Sequence, residues 1–105
     1  TWCPYCIDEM PDFQDIYDEY GDRFSFAFID CSYGGRETVE DAQAWLAEND
    51  MHVPAYFDTD ADAVTRFGAT SLPMTVVVSG EGEIVSASMG RIDATELRQL
   101  LDSLA

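Results

Sequence analysis

Two cysteines separated by a proline and a tyrosine constrain this chain more than any other feature. They are Cys3 and Cys6 in the run Trp-Cys-Pro-Tyr-Cys, and the apolar periodicity that follows predicts a helix beginning at Pro4. A cysteine at the start of a helix lies beside unpaired backbone N–H groups and the positive end of the helix dipole, which favours its thiolate. Cys6 lies one turn further on. The spacing therefore predicts a pair that exchanges between dithiol and disulfide with little backbone movement.

The first predicted helix runs from Pro4 to about Tyr20 and ends at Gly21. Its apolar residues recur at steps of three and four, at Cys6, Met10, Phe13, Tyr17 and Tyr20. Such steps mark one buried face of a helix. We therefore expect Cys6 to be buried, whereas Cys3, at the N-terminal end of the helix, stays accessible.

The remaining chain predicts further strands and helices. Apolar runs predict strands over 24–30, 53–57 and 74–78, and glycines at 80 and 82 turn the last of these into a strand over 83–88. Helices are predicted after three polar caps, at Thr38, Asp60 and Asp93. The expected order is helix, strand, helix, strand, helix, strand, strand, helix, which is an α/β arrangement.

Composition limits the possible partners. The 105 residues suffice for one domain with its own core, and three cysteines fit one local pair plus a spare better than a disulfide framework. Five arginines, no lysine and 21 acidic residues give a net charge of -16. Such a surface repels nucleic acid and anionic membranes, and no run approaches the roughly 20 apolar residues of a membrane span.

Together these features resemble the thioredoxin fold over the whole chain. The motifs are Trp-Cys-Pro-Tyr-Cys opening a helix, Ser-Leu-Pro-Met-Thr before a valine strand, the Gly-x-Gly hairpin and the closing amphipathic helix. The segments 57–60 and 66–73 are most similar to the TlpA/ResA branch of bacterial thiol-disulfide oxidoreductases. The resemblance implies a thioredoxin-like mixed sheet flanked by helices, with 1–105 as one N-terminally truncated domain.

The same resemblance implies a strand that this chain lacks. In that fold a central strand runs directly into the Cys-x-x-Cys helix, but only Thr1 and Trp2 precede Cys3. The neighbouring strands would keep unpaired backbone groups, which are costly when buried. We therefore expect that residues upstream supply this first strand, or that it comes from elsewhere.

The resemblance also assigns catalytic roles. Cys3 would be the nucleophile and Cys6 the resolving thiol. Glu9 matches an acidic residue that this branch carries near its active site, where it could move the proton of Cys6. From the residues alone, Glu9 could equally be another solvated acid on an acidic helix.

A second group of residues is expected to contact the substrate. Pro73 would be a cis-proline facing the two sulfurs, and with Leu72 it would leave a backbone edge free to pair with a substrate's extended chain. Trp2, Pro4 and Tyr5 would flank the sulfurs and offer apolar contact. Pro73 could instead be an ordinary proline at the start of a strand.

The function implied is exchange of the Cys3–Cys6 disulfide with protein partners, with the chain as a reductant that an upstream thiol donor resets. No cofactor and no metal are expected. Members of this branch are usually extracytoplasmic, so we expect an anchor or signal upstream. The alternatives are an oxidase or isomerase of secreted disulfides, a binding module without catalysis, or a zinc site that also uses Cys31 and His52.

Overall fold

Residues 1–104, which the computed structural model describes, form four helices and four strands in the predicted order. They are α1 (Pro4–Tyr20), β1 (Phe28–Asp30), α2 (Val39–Glu48), β2 (Ala55–Phe57), α3 (Asp62–Phe67), β3 (Met74–Val78), β4 (Ile84–Met89) and α4 (Ala94–Leu104). None of these helices is both long enough and apolar enough to span a membrane. The predicted element order is confirmed, although some bounds differ.

The aromatic run at 24–30 was expected to be one strand, but only its last three residues form β1. The earlier aromatic side chains pack against α1 instead. Phe26 meets Phe13 at 5.8 Å and Tyr17 at 5.3 Å between ring centroids, in edge-to-face contacts. β2 supplies only three residues for β1 to pair with, so the ladder ends where its partner does.

The core lies between α1, α4 and β3. Its buried members are Ile16, Tyr20, Val77, Leu97 and Leu101. The Tyr20 hydroxyl also donates a hydrogen bond of 2.6 Å to the Asp102 carboxylate, which ties α1 to α4. The predicted apolar face of α1 missed Ile16, the most buried of them at 1% exposed. This packing fixes the axis of α1 and therefore the position of the thiols at its tip.

The strands form two separate pairs. β1 and β2 are parallel, β3 and β4 are antiparallel, and no pairing joins β1 to β3 within residues 1–104. A cavity of about 390 Å³ lies between the two pairs and is lined by residues of β1, β3, α1 and α3. The gap expected from the sequence, beside the Cys-x-x-Cys helix, is thus present.

α3 begins differently from the prediction. Asp60 was expected to cap this helix, but it is the buried carboxylate of Asp58 that accepts N–H groups, from Asp62 at 2.8 Å, Val64 at 3.0 Å and Ala63 at 3.2 Å. The chain turns through a left-handed residue, Ala61 (φ 57°), which points these donors back at Asp58. The cap predicted at Asp60 was therefore wrong.

Asp58→Ala should lower the free energy of unfolding by about 1–2 kcal/mol, because it removes the acceptor for the first N–H groups of α3. Asp60→Ala removes the same charge two residues away and should change that free energy by less than about 0.5 kcal/mol. Urea unfolding of both variants and the wild type checks this. Equal losses in the two variants would contradict the assignment of the cap.

Candidate active site

Cys3 is the N-cap of α1. The backbone N–H of Cys6 donates to the Cys3 Sγ at 3.4 Å, and Cys3 has the extended backbone of a capping residue (φ -97°, ψ 119°). Pro4 follows at the first helical position, where its missing N–H costs no hydrogen bond. The sulfur therefore lies where an amide donor and the positive end of the helix stabilise negative charge.

The segment before β3 lies directly against this sulfur. The Cys3 Sγ is 3.8 Å from the carbonyl oxygen of Leu72, and the Leu72–Pro73 peptide bond is cis. These residues are 69 positions from Cys3 in the sequence. The structure thus brings together the two segments that the sequence analysis singled out.

The exposure of the two thiols is the reverse of the prediction. Cys3 is 8% exposed, whereas Cys6 is only partly buried, and both are free thiols. The Leu72 carbonyl oxygen lies 3.8 Å from the sulfur of Cys3, and both cysteines line the cavity between the strand pairs. Of the predicted apolar face of α1, Met10 and Tyr20 are buried, whereas Cys6, Phe13 and Tyr17 are only partly buried.

The surroundings of Cys6 favour its thiol form. Burial raises the pKa of Cys6 well above its ordinary value, and the hydrogen bond and charge of Cys3, with a smaller effect of Glu9, raise it further. At neutral pH Cys6 therefore carries its proton. The two cysteines are unequal in their surroundings, since Cys3 accepts an amide hydrogen bond at the helix start whereas burial and the nearby Cys3 sulfur oppose negative charge at Cys6.

Glu9 lies inside the site. It is 6% exposed, lines the same cavity as Cys6, and its Oε1 atom has no hydrogen-bond partner. Burial raises the pKa of Glu9, while the backbone N–H of Ile92 and the charge of Arg91 oppose that rise. The alternative that Glu9 is one more solvated acid is wrong.

The aromatic residues around the thiols differ in their freedom. The Trp2 indole Nε1 donates to the carbonyl oxygen of Cys31 at 2.9 Å, and the Arg36 guanidinium lies over the Trp2 ring at 4.9 Å from its centroid. Tyr5 is 66% exposed, and Pro4 is also exposed. Trp2 is therefore held in place, whereas Tyr5 is available for contact. Sequence reasoning missed Arg36, because no motif spacing links it to the cysteines.

The residues of the zinc alternative do not form a ligand set. Cys31 is buried and lines the cavity, and burial first, then the charges of Asp30 and Asp58, raise its pKa to about 11. His52 is exposed, and its backbone N–H bonds Gln14 on α1. Within residues 1–104, no three His, Cys, Asp or Glu side chains are grouped as metal ligands.

Comparison with known sequences gives a family and several relatives. A sequence model of the AhpC/TSA family matches residues 1–87. The thiol-disulfide oxidoreductase ResA of Oceanobacillus iheyensis is 29% identical over 105 residues, covering 100% of this chain and 53% of that protein. The sporulation thiol-disulfide oxidoreductase A of Bacillus subtilis is 24% identical over 102 residues, covering 94% and 60%. The chain thus spans little more than half the length of these curated relatives.

Solved structures establish the fold. StoA from Bacillus subtilis superposes with a TM-score of 0.85 at 21% identity, over 95% of this chain and 75% of that one. The exposed lipoprotein thioredoxin Etrx1 from Streptococcus pneumoniae gives 0.85 at 24% identity, over 99% and 78%. The thioredoxin-like fold and the resemblance to ResA-type proteins are therefore confirmed.

Proposed function

Since this chain belongs to the AhpC/TSA family and holds two unequal thiols at the tip of one helix, we propose that it is a protein thiol-disulfide oxidoreductase. The observation that carries this proposal is the sulfur of Cys3, which caps α1 and lies 3.8 Å from the carbonyl oxygen of Leu72. The relatives named thiol-disulfide oxidoreductases support the same reaction class.

The first step is attack by the Cys3 thiolate on a disulfide of the partner protein. A bond forms between Cys3 and one partner sulfur, the partner's S–S bond breaks, and the other partner sulfur leaves as a thiolate that takes up a proton. Cys3 is suited to this step because the Cys6 amide and the helix dipole stabilise its anion.

The second step is resolution by Cys6. Cys6 gives up its proton and attacks the Cys3 sulfur, which forms the Cys3–Cys6 disulfide and releases the partner's second thiolate. The raised pKa of Cys6 makes a proton acceptor useful here. Glu9 is our candidate for that task, supported by its position in the lining of the same cavity and by its Oε1 atom, which has no hydrogen-bond partner. The partner gains two electrons. A separate upstream thiol donor then reduces the Cys3–Cys6 disulfide back to the dithiol.

We propose that the partner binds to the surface around the Cys3 sulfur. The backbone at Leu72 and Pro73 would pair with an extended segment of the partner, while Trp2, Pro4 and the exposed Tyr5 would supply apolar contact. We place this chemistry outside the cytoplasm, in the periplasm or cell envelope. The match to an exposed lipoprotein thioredoxin supports that location.

We also propose that an extended segment fills the cavity between β1 and β3 in the working protein. Thr1 lines this cavity, and its backbone nitrogen is 3.1 Å from the carboxylate of Asp30 at the end of β1, while Cys3 lies 3.8 Å from the carbonyl oxygen of Leu72 shortly before β3. A strand running into Thr1 would therefore be parallel to β1 and antiparallel to β3. It would pair both strand edges and cover the open side of Cys6.

Cys6→Ser should trap the first intermediate. With an oxidised peptide carrying one internal disulfide as probe, the variant should accumulate a covalent Cys3 adduct, because nothing resolves it, whereas the reduced wild type should release the peptide as a dithiol. Cys3→Ser should form no adduct, and Cys31→Ser should behave like the wild type, since burial keeps Cys31 protonated. Mass spectrometry measures each species. An adduct that forms on Cys31 or not at all would refute the proposal.

Glu9→Gln should slow resolution by about a hundredfold while leaving adduct formation nearly unchanged, because it removes the acceptor for the Cys6 proton. It should also stabilise the fold at neutral pH. Burial raises the pKa of Glu9, so ionising it costs folded-state stability as the pH rises above the ordinary carboxyl range. The stability difference from the wild type should therefore grow from pH 4 to pH 8.

Asp8→Asn, at an exposed acid on the same helix, is the control for Glu9→Gln. Quenched-flow trapping of the adduct and urea unfolding at several pH values provide the two measurements. A stability gain without slower resolution would leave Glu9 a structural residue only and would contradict its proposed role.

A six-residue strand of valine and isoleucine fused ahead of Thr1 should raise the melting temperature by about 4–8 °C for each kcal/mol of added stability. The same addition with two prolines, which cannot complete the backbone ladder, serves as the control. The apolar strand should also slow alkylation of Cys6. If both additions give the same melting temperature and the same alkylation rate, no strand fills the cavity.

A further inference from the structure

Arg36 differs from the other arginines in its ion pairing. The other four each have a carboxylate oxygen within 4.0 Å, in the pairs Arg23–Asp22, Arg66–Asp62, Arg91–Asp12 and Arg98–Glu19. Arg36 is the only arginine without such a pair in residues 1–104. In a chain with a net charge of -16, a guanidinium with no carboxylate beside it is an exception.

This guanidinium stacks on the residue that directly precedes Cys3 in the sequence. It stacks on the Trp2 ring at 4.9 Å, and Trp2 is itself fixed by its 2.9 Å hydrogen bond to the Cys31 carbonyl oxygen. Trp2 directly precedes Cys3. The loop that carries Arg36 turns through two successive left-handed glycines, Gly34 and Gly35, and the turn is closed by the Arg36 N–H donating to Tyr33 at 3.2 Å.

The adjacent carboxylate does not neutralise Arg36. The Glu37 side chain is only 6% exposed and points inward, where its carboxylate accepts a hydrogen bond of 2.6 Å from the Thr1 hydroxyl. Arg36 is exposed, so its positive charge faces solvent beside Trp2. An approaching acidic group is repelled by most of this surface but attracted at this point.

We propose that Arg36 binds a carboxylate of the disulfide-bearing partner and so determines which partner segments reach Cys3. This inference rests on the proposed function and adds a substrate class to it, namely segments with Asp or Glu close to the cysteine that Cys3 attacks. Stacking on Trp2 orders the guanidinium before the partner arrives, so less side-chain freedom is lost on binding. The planar fork of arginine also matches a carboxylate with two parallel hydrogen bonds.

The test compares three otherwise identical peptides, each carrying its cysteine as an activated aromatic disulfide, with Glu, Gln or Lys next to that cysteine. Second-order rates of adduct formation are measured in the Cys6→Ser background at low salt. Arg36→Gln should lower the ratio of the Glu-peptide rate to the Gln-peptide rate about threefold to fivefold. A change of this size is expected when one exposed ion pair is lost. Arg36→Glu should shift the preference to the Lys peptide. High salt should remove these differences.

Arg23→Gln is the matched control, because Arg23 also stacks on an aromatic ring, that of Tyr20 at 4.6 Å, but lies just beyond the far end of α1. It removes the same charge and should leave the Glu-to-Gln rate ratio unchanged. An unchanged ratio in Arg36→Gln, or an equal change in Arg23→Gln, would overturn the inference while the exchange reaction stands. If no peptide forms an adduct on Cys3, the proposed function fails and the inference fails with it.

Discussion

The chemistry of this protein depends on one hydrogen bond, from the Cys6 amide to the sulfur of Cys3. It places Cys3 at the positive end of α1 and fixes its distance from Cys6, whose pKa is raised by burial and by the nearby Cys3 sulfur. Packing of α1 against α4 and β3 then holds this helix tip against Leu72. The inequality of the two thiols follows from this geometry.

The split sheet explains the remaining features of the site. β1 and β3 do not pair with each other, and a cavity lies between them. The two thiols line this cavity together with Glu9 and Cys31. Burial raises the pKa of both of these groups, but their positions differ. Glu9 lies one turn beyond Cys6 on α1, whereas Cys31 follows β1, where burial first and then the charges of Asp30 and Asp58 raise its pKa.

Much of this was predictable from the sequence, and the misses have physical causes. Periodicity, turn residues and caps predicted the element order, and the family resemblance of two motifs far apart in the sequence predicted that the Leu72–Pro73 segment faces the two sulfurs. Periodicity could not give the exposure of Cys6, because exposure depends on a neighbouring strand rather than on α1. The cap at Asp58 depends on a left-handed turn at Ala61, for which no sequence pattern exists. The stacking of Arg36 on Trp2 is likewise a tertiary contact.

The most direct test of this account is the pH dependence of alkylation of each thiol in the reduced wild-type protein. Iodoacetamide labelling followed by peptide mass spectrometry separates Cys3 from Cys6. The account predicts that Cys3 is labelled first throughout pH 6–9 although it is the less exposed thiol, and that Cys6 remains almost unlabelled. Labelling of Cys6 at a rate equal to or above that of Cys3 would show that exposure, not the helix cap, sets thiol reactivity, and would contradict the account.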